Sequence, residues 1–129
     1  QLASEIAKRC AEVAVYFAEQ QHYEAAVYLN QTALEIFPDD LWPQVRLGEL
    51  YDTAGDLEAA RNAYLLVLEK APESPYTAGK LEALMRRMKL NARQRMEVWE
   101  DLVKRHPDAT VPAAYLQESL TENHRQDMQ

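Results

Sequence analysis

Apolar residues recur three and four positions apart along most of the chain, and no run alternates residue by residue as a half-buried strand would. The period is that of a helix. Pro38, Gly55, Pro72 and Pro107 cut the pattern into helix-length pieces. "PYTAGKLEALMRRM" opens with Ser74 placed as N-cap and Pro75 at the first helical position, where a missing N–H costs little. Asn91 is placed to cap "ARQRMEVWEDLVKRHP", which Pro107 terminates. A last helix over "DATVPAAYLQESLTEN" is expected to start at Asp108 or Thr110, with the chain frayed from about His124 onward. The pattern predicts an all-α protein of about seven helices.

One residue runs against this pattern. Gly48 lies inside "RLGELYDTAG", where glycine costs a helix about 1 kcal/mol relative to alanine. Sliding the sequence by 34 residues lays "HYEAAVYLNQTALEIFP", residues 22–38, over "DLEAARNAYLLVLEKAP", residues 56–72, without an insertion. Glu24, Ala25 and Ala26 fall on Glu58, Ala59 and Ala60, and Pro38 falls on Pro72. Upstream, Val13, Ala14 and Phe17 fall on Leu47, Gly48 and Tyr51. The repeat therefore asks for a small residue at Gly48, where two helices cross closely, with Ala60 as the facing small residue. Added bulk there should cost about 1–3 kcal/mol by overpacking.

A helix pair of this length, with Leu47-Gly48 and Tyr51 in its first helix, Ala60 and Tyr64 in its second and Pro72 at its close, resembles the tetratricopeptide repeat. Gln44 stands where that motif often has tryptophan, and in the first unit Asn30 stands where the aromatic belongs. The third unit is degenerate: Glu82 occupies the place of Gly48, Arg95 that of Ala60, and Pro107 comes one residue late, with Trp99 and Leu102 expected to face inward. The resemblance implies a right-handed α-solenoid of antiparallel helix pairs. Residues 1–123 would then form one domain, with repeats at about 7–40, 41–74 and 75–108, a capping helix at about 110–123 and a frayed tail at 124–129.

In such a fold the first helix of each pair lines a concave groove that binds a protein or peptide segment. Projected onto this sequence, the groove takes Lys8, Ala11 and Val15, then Trp42, Val45, Glu49 and Asp52, then Tyr76, Ala83 and Arg86. Trp42 and Tyr76 occupy equivalent places, and would either anchor a partner's apolar side chain or pack against the preceding repeat. Glu49, Asp52 and Arg86 would orient it. Relatives that clamp a chaperone's terminal carboxylate use lysine and asparagines; here Ala11 and Val15 take those places, which argues against a clamp despite Arg46 and Lys80. The alternative is an oligomerisation or spacer segment, forming a homodimer or part of a longer repeat array.

Composition narrows the partners. A net charge of -7 disfavours nucleic acid and anionic lipid, and no stretch has the roughly 18 apolar residues of a membrane span. Cys10, the only cysteine, excludes an internal disulfide or a thiolate cage, and His22, His106 and His124 lie scattered in expected turns or the tail. Asp39 and Asp40 precede a helix and suit capping better than paired acid–base chemistry. No phosphate loop, nucleophile elbow or zinc spacing occurs, so neither enzyme, metal nor cofactor is expected. The start at Gln1 without methionine or signal-like stretch suggests a fragment or processed product, compatible with cytoplasm or periplasm.

Overall fold

The computed structural model describes residues 1–128, and among them the chain forms seven α-helices and no strand. They are α1 (Leu2–Glu19), α2 (Tyr23–Ile36), α3 (Trp42–Ala54), α4 (Leu57–Lys70), α5 (Pro75–Arg87), α6 (Ala92–Arg105) and α7 (Thr110–Asp127). This is the all-α class the periodicity predicts. The chain divides into two compact units, with the boundary between Tyr64 and Leu65 inside α4.

In the first unit α1 packs on α2, and α2 on α3. Ala14, Ala26 and Leu50 are buried at the centre, with Phe17, Tyr23 and Val27 against them. Gly48 carries the expected close approach, but its neighbour is a ring. A Cβ built there would lie 2.9 Å from Cζ of Tyr64 and closer still to two ring-edge carbons, while Ala60 is fully buried nearby in sequence. Tyr64 is itself fully buried. The helix–helix packing thus offsets the local cost of glycine.

The first helix of each pair ends in the same turn. Gln21, Gly55 and Lys89 each have a positive φ, of 64°, 89° and 67°. In each case that residue's N–H donates three residues back, to Ala18, Asp52 and Arg86 at 3.0 Å. The next N–H donates five residues back: His22 to Phe17, Asp56 to Tyr51, and Leu90 to Met85, at 2.9–3.1 Å. This satisfies the last carbonyls of the helix. The three turns are 34 residues apart, so the period holds to Lys89 and the extra residue of the third unit enters after it.

In the second unit α7 packs on α6 and on α5 around Leu81, Leu84, Met85, Trp99 and Leu102, all fully buried. Ser74 caps α5 as expected, accepting from the Thr77 N–H at 3.3 Å. Asn91 and Gln94 form a capping box at the start of α6. The start of α7 differs from expectation. Its N-cap is Ala109, which has no side-chain oxygen. Glu73, from the turn before α5, supplies the acceptor instead, taking the N–H groups of Thr110 at 2.9 Å and Val111 at 2.7 Å and the Thr110 hydroxyl at 2.9 Å. These bonds, Val111 first, hold the Glu73 carboxyl below the usual glutamate range. At the other end, where fraying is expected from His124, α7 continues through Asp127.

Candidate functional site

The expected groove residues occupy first helices, and the first unit brings some of them together. Ala14, Val15, Ala18 and Glu19 of α1, Tyr23 and Asn30 of α2, and Arg46, Glu49, Leu50 and Thr53 of α3 line an open cleft of about 400 Å³. Two of the expected binding residues, Val15 and Glu49, are therefore cleft-lining. Val15 is 45% exposed. Arg46 donates to Glu49 at 2.9 Å, and its guanidinium lies 4.8 Å from the centre of the Trp42 ring.

The cleft has a readable origin. In the second pair the Tyr64 ring covers Gly48. The corresponding residues of the first pair are Asn30 and Ala14, a smaller side chain and one methyl. No ring fills that place, and both residues line the cleft. Asn30 is only 3% exposed; its Nδ2 donates to the Ala26 carbonyl at 3.1 Å, while its Oδ1 has no partner among the described residues. Asn30, Ala18 and Glu19 are absent from the expected groove set. The signal that points to them is the missing aromatic at Asn30.

Trp42 is 45% exposed; its backbone N–H donates to the Asp40 carboxylate at 3.0 Å, one residue before Leu41, the N-cap of α3. Tyr76 on α5 is 46% exposed, with Lys80 Nζ 5.4 Å from its ring centre. Each exposed aromatic thus carries a cation four residues on, one helical turn away. Lys8 is exposed on α1, and Asp52 is half-buried on α3. Val45 departs from expectation. It is 3% exposed, because it stands one turn before Gly48 on the stripe that α3 turns inward.

Arg86 is held within the second unit, donating to Glu82 at 3.0 Å and to Glu122 at 3.1 Å. Beneath it lies a buried ionic group. Arg95 is 4% exposed in its side chain; it pairs with Glu82 at 3.1 Å, bonds Glu122, and donates to the Leu90 carbonyl at 2.7 Å. Trp99 Nε1 donates to Glu82 at 2.9 Å, and Tyr115 stacks on the Trp99 ring at 4.7 Å. Glu82, Arg95 and Trp99 stand where Gly48, Ala60 and Tyr64 stand in the second repeat. The bond from Arg95 holds the Glu122 carboxyl below its usual range, against the opposing effect of burial. Burial, then the charges of Glu118 and Glu82, push the Tyr115 phenol up.

Among the described residues no helix is long and apolar enough to cross a membrane, and no cluster of His, Cys, Asp and Glu suits a metal ion. No curated protein matches the chain by sequence. Among solved structures it is similar to the TPR domain of Sgt2 from Aspergillus fumigatus, with a TM-score of 0.65 over 95% of this chain and 82% of that one. At 14% identity this likeness shows the fold alone. The sequence model of the tetratricopeptide repeat matches residues 16–84. That match takes in more than half of the 129 residues and falls on the unit that recurs every 34; the chain belongs to the tetratricopeptide-repeat family.

Proposed function

We propose that the chain is a non-catalytic protein-binding module that takes a partner segment on the first helices of its pairs, with residues 1–123 acting as one three-repeat domain. Tetratricopeptide repeats are generally protein–protein interaction modules and typically non-enzymatic scaffolds. The observation that carries the finer reading is the pair Trp42 and Tyr76. Two large aromatics at equivalent positions stay nearly half exposed, each beside a cation. Such residues supply apolar area with a polar edge, the composition of binding hot spots. Lys8, Val15, Glu49 and Asp52 accompany Trp42 on the first helices of the first unit, and Arg86 accompanies Tyr76 on that of the second.

Affinity capture from the source organism's extract, with wild type and a Trp42→Ala, Tyr76→Ala variant, tests this. Wild type should retain a protein that the variant loses, while both keep the same helical signal by circular dichroism. Equal retention by a well-folded variant would remove binding from the first helices.

The second reading, an oligomerisation segment, draws on α1. Leu2, Ile6 and Val13 are 71%, 44% and 39% exposed and fall on one stripe of that helix. A second copy could cover them. Light scattering should then find a concentration-dependent dimer that Ile6→Lys abolishes; a monomer at every concentration overturns it.

A further inference from the structure

The cleft of the first unit is selective in its chemistry. Its floor is Ala14, Ala18 and Leu50, apolar and built partly of small side chains, with room for an inserted group. Its acids are Glu19 and Glu49. Arg46 is the one base lining it, and that charge is already engaged by Glu49 and the Trp42 ring. Buried Asn30 offers an acceptor, Oδ1, that no described residue fills.

The charge of the whole unit points the same way. Residues 1–64 hold eleven Asp and Glu against four Lys and Arg, which is -7. From Leu65 onward there are ten of each, which is zero. The entire net formal charge of the protein therefore falls within the unit that holds this cleft. A field of one sign attracts an oppositely charged segment and repels one of like charge.

We propose that the α1–α2–α3 cleft receives an apolar side chain of a partner peptide segment that carries lysine or arginine on either side of it. The inference rests on the reading of the first helices as a protein-binding surface, and names what that surface selects. The apolar side chain enters over Ala14, Ala18 and Leu50, and the flanking cations meet Glu19 and the excess of carboxylates in this unit.

The test is fluorescence anisotropy with three labelled synthetic peptides. One has a single leucine flanked by lysines on a serine background; the second has glutamate for each lysine; the third has serine for the leucine. The first should bind saturably, about tenfold or more tighter than either other, and should weaken in high salt. Val15→Asp and Glu19→Lys, both at exposed positions, should each weaken it by about tenfold with helicity unchanged. Equal affinity for the lysine and glutamate peptides, equal affinity for the leucine and serine peptides, or no binding of the first, overturns the proposal. If those selectivities fail while capture still depends on Trp42 and Tyr76, the surface stands and its partner chemistry is different. If capture ignores Trp42 and Tyr76, the broader reading falls first.

Discussion

Gly48 and Gly79 make the same residue do different work. Both lie inside helices, where exchange for alanine favours the helix by about 1 kcal/mol. At Gly79 an added Cβ meets only the Tyr115 hydroxyl at 3.5 Å, an ordinary contact. At Gly48 it would enter the Tyr64 ring, whose fully buried surroundings leave it nowhere to go. Gly79→Ala should therefore be neutral or stabilising by up to about 1 kcal/mol. Gly48→Ala should destabilise by about 1–3 kcal/mol, as overpacking outweighs propensity. Urea denaturation of the two variants checks the opposite signs. The repeat made the need for a small residue at Gly48 legible; that a ring presses on it depends on a rotamer.

At the scale of the elements, the three helix pairs share one turn and differ at their crossings. The turn tolerates Gln21 and Lys89 in a left-handed conformation that costs a residue with a side chain about 1–2 kcal/mol, because its hydrogen bonds close the helix end. At the crossings, glycine and tyrosine in the second pair give way to Glu82, Arg95 and Trp99 in the third. Glu82 accepts from both Arg95 and Trp99, so Glu82→Ala would strand the indole N–H and leave Arg95 with Glu122 and the Leu90 carbonyl alone. It should cost about 1–3 kcal/mol. Arg95→Ala added to it should cost less than the two changes separately, with about 1–3 kcal/mol of coupling. Additive losses in a denaturation cycle would refute this coupling. Arg95 at a small-residue position looked like decay in the sequence; it is a replacement of one close contact by another, made in ions.

For the whole molecule, acid is the informative perturbation. Glu73 and Glu122 both titrate below the usual glutamate range, Glu73 through the N–H groups of Val111 and Thr110, Glu122 first through Arg95. A folded-state value below the unfolded one means that, as pH falls through this range, the unfolded chain takes up protons first. The stability these groups contribute is full above the ordinary carboxylate range and is lost as pH falls through their lowered values. The thermal midpoint should therefore fall with acid, and a Glu73→Gln, Glu122→Gln variant should show a shallower fall from a lower starting point. An identical pH profile for the variant and wild type would show that neither carboxylate is linked to folding. Glu73 from a turn and Arg95 from α6 meet α7 across long stretches of sequence, and neither could be paired with it by spacing alone.

The sequence by itself determined what is local or periodic. Helix-forming residues at three- and four-residue spacing define the seven helices, Ser74 and Asn91 mark helix starts, and a 34-residue period places Gly48 at a crossing. Those features depend on neighbours along the chain, so they survive without a third dimension. The tertiary structure alone decided which side chains meet: Tyr64 on Gly48, Glu73 on the start of α7, Arg95 between Glu82 and Glu122, and Val45 inside rather than on the open face. It also turned the missing aromatic at Asn30 into a cleft. A substitution states what is absent from a motif; only packing decides whether the space closes or remains.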